Sequence, residues 1–115
     1  MTDLNLEGMA LAPGVVETII FFAANEVEGV AQVGTTGGGG LRSMFSAKNV
    51  TQGIEIEVTE DDKLYIAIRI EVIYGYTLPE VAANIRSSVA DAVISQIGIP
   101  VSRVDIFIDG IRFEN

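Results

Sequence analysis

The chain has 115 residues, a length that suits a single domain. It contains no cysteine and no histidine, which excludes thiol enzymes, hydrolases that rely on a histidine base, and histidine-ligated metal enzymes. Sixteen acidic residues against seven basic ones give a formal net charge of -9, which disfavours nucleic acid and anionic lipid as partners.

The N-terminus is predicted to be an extension, residues 1–11, of one domain that spans residues 1–115. Its first residues, MTDLNLEG, carry acids where an export signal needs basic residues. No apolar run in the chain reaches the roughly 18 residues that a membrane span requires. We therefore expect a soluble protein with no direct membrane insertion.

A first helix is predicted to begin at Ala12 and Pro13 and to stop near Gly29, because proline suits the first helical position and glycine suits the residue after the last. Its apolar stripe at helical spacing comprises Val16, Ile19, Ile20, Ala23, Ala24 and Val27. Phe21 and Phe22 widen this stripe beyond one face, so they are candidates for self-association. The alternative is that the whole helix is deeply buried.

A glycine-rich flexible loop is predicted over residues 34–49, after a short strand at Val30–Val33. Four consecutive glycines, Gly37–Gly40, are incompatible with regular structure. They match the G-x-x-G loop of a KH-type RNA-binding module, but that module needs basic flanks. The longer phosphate-binding motifs are absent, so the loop is interpreted as a hinge.

The stretch from Gly29 to Ile54 contains no acid, whereas the rest of the chain is strongly acidic. Large apolar and basic residues on a hinged segment are typical of a docking element. The predicted partner-docking residues are Leu41, Arg42, Met44, Phe45 and Lys48. The alternative is that the loop folds over the sheet and buries Phe45.

The second half of the chain predicts a hairpin, a helix and a final strand. Apolar residues alternate with polar ones over 54–58, 64–72 and 104–108, as in half-buried strands. Thr77 and Glu80 form a capping-box pattern before the second helix. The fold class predicted is an α+β two-layer sandwich of order α-β-β-β-α-β. Two helices pack on one face of a three- to four-stranded, mostly antiparallel sheet, and the open face is largely acidic.

No catalytic residue, cofactor site or metal site is predicted. The carboxylates of Glu55, Glu57 and Glu71 share a strand face and Asp61 lies in a turn, where solvated side chains are expected. Weak binding of Ca²⁺ or Mg²⁺ stays open, because both ions prefer carboxylate oxygens. The serines and threonines have no histidine to activate them.

Several short motifs, in order and spacing, resemble the alkaline-shock-protein family of Gram-positive bacteria, also called the envelope stress response family. They cover most of the chain, roughly residues 5 to 113, and comprise Ala24–Val30, Lys48–Gly53, Ile73–Gly75, Leu78–Ala82 and Val101–Gly110. The resemblance implies a small, non-enzymatic cytoplasmic protein that a separate membrane-anchor protein holds at the membrane. It also implies a role in cell-envelope stress response and homeostasis.

Two functional hypotheses follow. The first is an interaction module that docks on an envelope partner and forms a homo-oligomer, since both the first helix and an unguarded final strand offer surfaces to a second copy. The alternative is a small-ligand-binding or regulatory domain that acts on an enzyme of lipid metabolism. No enzymatic activity is expected under either hypothesis.

Overall fold

The computed structural model describes residues 4–6, 8–12, 14–34 and 53–113. In chain order the elements are β1 (Leu4–Leu6), β2 (Met9–Leu11), α1 (Val15–Asn25), β3 (Val30–Val33), β4 (Ile54–Val58), β5 (Leu64–Ile73), α2 (Leu78–Gln96) and β6 (Val101–Arg112).

The long strand β5 is the centre of the main sheet. Along one of its edges β4 and then β3 pair with it antiparallel, with Ile54 opposite Ile68 and Val33 opposite Ile70. Along its other edge β6 pairs with it in parallel. A parallel neighbour requires a crossover connection, and α2 provides it. This arrangement places β6 at an edge of the sheet as far as the described residues extend.

Both helices cover one face of this sheet. Alternate residues of a strand point to the same side, so the fully buried side chains of β5 all face the helices. The fully buried side chains of β5 are Leu64, Ile66, Ile68, Ile70 and Val72. They pack against buried residues of the helices, which are Val16, Ile20, Ala23 and Ala24 in α1 and Val81, Ile85, Val89 and Val93 in α2. The predicted two-layer α+β sandwich and its element order are confirmed.

The helix ends differ in part from their predictions. The first helix begins at Val15 after Gly14, and it ends at Asn25, four residues before Gly29. Thr77 is the N-cap of α2 as predicted, but its side chain makes no capping hydrogen bond. Its carbonyl oxygen instead accepts from the backbone N–H of Glu80 at 3.1 Å.

An antiparallel hairpin of β1 and β2 lies within the predicted N-terminal extension, with Leu4 opposite Leu11. Leu11 packs against the main core. The sequence analysis predicted no strand here, because three-residue strands are too short to show an alternating pattern.

The end of β3 and the start of β4 meet at Arg69 of β5. The backbone N–H of Gly34 donates to the carbonyl oxygen of Arg69 at 2.7 Å, and the N–H of Arg69 donates to the carbonyl oxygen of Gly53 at 2.9 Å. A Cβ atom added at Gly53 would lie 2.6 Å from the Cα of Gly34. Glycine is therefore required at position 53 for the backbones to approach this closely.

Candidate interaction surfaces

The open face of the sheet carries ion pairs between β5 and β6. Parallel pairing sets Arg69 opposite Phe107 and Glu71 opposite Gly110, which brings these two charges of β5 close to Asp109 and Arg112 of β6. Three arginines of this face each contact a carboxylate: Arg69 with Asp109 at 2.8 Å, Arg103 with Asp105 at 2.7 Å, and Arg112 with Glu71 at 2.5 Å. The face predicted as largely acidic is therefore partly neutralised by arginine.

Asp105 is the centre of a small polar cluster on this face. Its Oδ1 accepts a hydrogen bond from Arg103 Nε at 2.7 Å, and its Oδ2 accepts one from the hydroxyl of Tyr65 at 2.8 Å. The hydrogen bond from Arg103, followed by that from Tyr65, holds the pKa of Asp105 below its usual range. The same contact with Asp105 raises the pKa of Tyr65. At neutral pH the carboxylate is ionised and the phenol is protonated, so neither group is set up to transfer a proton.

The structure brings no three carboxylates of its described part close enough together to hold a metal ion. Glu55 and Glu57 do lie on the open face of β4, opposite Ala67 and Tyr65 respectively. Glu55, Glu57 and Asp61 are exposed to solvent, as expected. The expectation was wrong for Glu71, which is buried because it lies in the central strand and pairs with Arg112.

The two helices form a groove on the side away from the sheet. Ser88 Oγ of α2 donates to the carbonyl oxygen of Ala23 of α1 at 3.0 Å where the helices meet. The residues that line this helix groove are Thr18, Ile19, Phe22, Ala23, Glu26, Ser88, Asp91, Ala92, Ser95 and Gln96. Its lining combines apolar and polar side chains, and its charged members are both acids.

The two phenylalanines proposed for self-association have different environments. Their rings meet edge to face, with centroids 5.2 Å apart and planes at 82°. Phe21 is partly buried and packs against the core, whereas Phe22 is 57% exposed and lines the helix groove. Phe22 is thus accessible to a partner, and self-association itself stays a prediction.

The predicted partner-docking residues of the glycine-rich loop are Leu41, Arg42, Met44, Phe45 and Lys48. They lie outside the residues that the structure describes, so their role stays a prediction.

A second group of exposed apolar residues lies along β6 and just beyond it. Phe107 is 45% exposed, and the guanidinium carbon of Arg69 lies 5.2 Å from the centroid of its ring. The rings of Tyr74 and Phe113 stack with centroids 4.8 Å apart. The alternating pattern over 104–108 includes Phe107 but stops before Ile111 and Phe113, so the far part of this group was not predicted. These two apolar residues were the signal that the strand continues.

None of the helices in the described ranges combines the length and the hydropathy that crossing a bilayer demands.

The sequence places the chain in a family with a cell envelope-related function. Over residues 2–113 the chain matches the model of the alkaline shock protein 23 family, and it is a member of this alkaline-shock-protein family. The resemblance noted in the sequence is thereby confirmed.

The relatives come from Gram-positive bacteria. Uncharacterized protein YqhY of Bacillus subtilis is 29% identical over 112 residues, which cover 97% of this chain and 82% of that protein. Uncharacterized protein Spy1535 of Streptococcus pyogenes is 28% identical over 114 residues, which cover 99% and 86%. Uncharacterized protein YloU of Bacillus subtilis is 32% identical over 76 residues, which cover 66% and 62%. No solved structure matches the chain.

Proposed function

We propose that this protein is a non-enzymatic interaction module of the cell envelope. It docks from the cytoplasmic side on a membrane-anchored protein and associates with further copies of itself. The observation that carries the proposal is the helix groove, in which Phe22 is exposed beside the acids Glu26 and Asp91. Membership of an envelope-related family supports the same role.

The composition of the helix groove favours one kind of partner. An exposed aromatic ring between two helices is suited to the apolar face of a third helix. The acidic lining favours a helix whose flanks are rich in lysine or arginine. Membrane proteins carry an excess of these residues in the cytoplasmic segments next to their spans. A basic juxtamembrane helix is therefore the proposed occupant, since a chain of charge -9 is repelled by anionic lipid itself.

Co-sedimentation with native membranes of the source bacterium tests this docking. The wild-type protein is expected to sediment with the membranes, and Phe22→Asp is expected to stay in the supernatant. Ile94→Asp is the matched control, because Ile94 lies on α2, is 53% exposed and does not line the groove. Thermal unfolding of both variants establishes that they are folded. Equal sedimentation of Phe22→Asp and wild type would rule out the helix groove as the docking site.

Two further membrane preparations test whether the anchor is a protein. Binding is expected to disappear when the membranes are first treated with protease, and to be absent from protein-free vesicles of phosphatidylglycerol. Undiminished binding to the protease-treated membranes or to the vesicles would contradict a protein anchor and indicate direct recognition of lipid.

The non-enzymatic part of the proposal is tested by a screen against ester, phosphate and glycoside substrates. Any background rate is expected to be the same in wild type, Glu55→Ala and Asp105→Asn. A reproducible turnover that one of these substitutions abolishes would contradict this part of the proposal.

A further inference from the structure

The outer edge of β6 is a long surface of backbone hydrogen-bonding groups. Within the described part of the chain β6 pairs with β5 alone. It runs for 12 residues and contains neither proline nor lysine, the residues that often protect edge strands. Register irregularities at its two ends leave Arg103–Ile108 as a regular stretch. Such an edge is a template for a further strand.

We propose that the further strand is β6 of a second copy, paired antiparallel so that one sheet continues through both copies. This inference rests on the self-association in the proposed function and names its surface. A twofold axis perpendicular to the sheet would relate the copies, so the helices of both would lie on the same side.

Charge distinguishes the three registers whose twofold axis lies at Asp105, Ile106 or Phe107, near the middle of β6. Both copies keep their open faces on the same side, so two residues directly opposite each other must point to the same side of the sheet. The twofold axis therefore lies midway between one residue of β6 and the same residue of the second copy. An axis at Asp105 would place this carboxylate opposite itself. An axis at Phe107 would place Asp105 opposite Asp109 twice, and like charges directly opposite are destabilising. An axis at Ile106 instead places Asp105 opposite Phe107, twice, and brings Arg103 near Asp109, which lies at the irregularity just beyond the regular stretch.

The same register matches the apolar side of β6. With the axis at Ile106, Val104 of one copy lies opposite Ile108 of the other on the face that the helices cover. These side chains pack at the margin of each core, where Val104 is buried and Ile106 and Ile108 are partly buried. The pairing therefore continues the apolar layer from one copy to the next.

Single cysteines test the register directly, because the natural chain has none. Residues directly opposite in an antiparallel pair are close enough for a disulfide, whereas diagonal neighbours are not. Under mild oxidation Ile106→Cys is expected to form a covalent dimer, and Phe107→Cys alone is not. An equal mixture of Asp105→Cys and Phe107→Cys, both on the open face, is expected to give the mixed disulfide. Cross-linking of Phe107→Cys with itself, or none in any sample, would overturn the proposed register.

The sign of a charge at position 107 gives an independent test. Opposite Asp105 of the second copy, Phe107→Lys is expected to strengthen the dimer and Phe107→Glu to weaken it, with dissociation constants that differ on the order of tenfold. Analytical ultracentrifugation measures both, and thermal unfolding shows whether each variant is folded. Equal dissociation constants for the two variants would contradict the proposed register.

The outcomes separate this inference from the proposed function. One outcome is a dimer that Phe22→Asp abolishes and whose dissociation constant is the same for the two Phe107 variants. This outcome would overturn the β6 interface but would still support self-association. A monomer under all conditions would overturn both, whereas docking on membranes is measured separately and would be unaffected.

Discussion

Arg69 is a residue that connects several features of this structure. Its backbone holds the end of β3 at Gly34 and the start of β4 at Gly53. Its side chain pairs with Asp109 of β6 and lies over the ring of Phe107. One position of β5 therefore joins the strands on both sides of it, and its charged side chain limits how acidic the open face becomes.

At the same scale, Asp105 gives the protein a pH-dependent contribution to stability. Its pKa is lower in the folded chain than the ordinary value of 3.8, so the fold stabilises the ionised form. This contribution is present above the ordinary value and is lost as the pH falls through the lowered one. We expect Asp105→Asn to reduce the melting temperature at neutral pH and to differ less from wild type in strong acid.

Thermal unfolding of wild type and Asp105→Asn between about pH 2 and about pH 7 measures this difference. Tyr65→Phe, which removes only one of the two hydrogen bonds, is expected to show a smaller dependence of the same sign. Titration of tyrosine absorbance should show that Asp105→Asn also lowers the raised pKa of Tyr65. Parallel stability curves for wild type and Asp105→Asn would contradict the assignment.

At the level of elements, local patterns in the sequence were sufficient for the hairpin of β4 and β5 and for α2. The alternation of β5 and the glycine that follows α2 are both visible within a few residues of the sequence. Gly98 has a φ of 89°, the left-handed conformation that favours glycine after a helix. The helix groove could not be predicted in this way. It combines Phe22 with Asp91, which are far apart in the sequence, and only the packing of α1 against α2 brings them together.

The parallel pairing of β6 with β5 is another feature that the alternation alone leaves open. A half-buried strand shows the same period of two whichever neighbour it has. The position of β6 decides which carboxylate meets Arg69 and which arginine meets Glu71, so these two ion pairs of the open face could not be predicted before the strand order was known.

The junction of β3 and β4 predicts an unequal effect of two glycine substitutions. Gly53 and Gly75 both have a positive φ, so alanine at either is expected to destabilise the fold by about 1–2 kcal/mol. At Gly53 the new Cβ would also clash with Gly34, whereas none of the described neighbours of Gly75 lies within 4 Å of such an atom. We expect the clash to add roughly 1–3 kcal/mol. Denaturant unfolding measures both, and equal losses would contradict a close approach of the two backbones.

For the molecule as a whole, charge and apolar surface act in opposite directions. A net charge of -9 makes two copies repel each other, yet exposed apolar groups occur both in the helix groove and along β6. In the proposed interactions, the acids that line the helix groove attract a basic partner, whereas the mixed charges of β6 suit a second copy of the same chain. The two surfaces consist of different residues, so we expect that both can be occupied at the same time.

This difference predicts opposite effects of salt on the two interactions. Raising the salt concentration from about 10 mM to about 150 mM shortens the screening length from roughly 30 Å to roughly 8 Å. The long-range repulsion between two acidic copies falls, while the proposed contact of Arg103 with Asp109 of the second copy is screened less, so self-association is expected to strengthen. Docking on a basic helix loses long-range attraction and is expected to weaken.

Light scattering coupled to gel filtration, at micromolar to hundred-micromolar protein, measures the first effect, and membrane co-sedimentation over the same salt range measures the second. A mass that stays at 12.3 kDa across all conditions would refute self-association. A dimer that dissociates as salt rises would show that ion pairs dominate over net repulsion. The interface would then depend mainly on charged residues, such as Arg103 and Asp109, and less on the apolar side of β6.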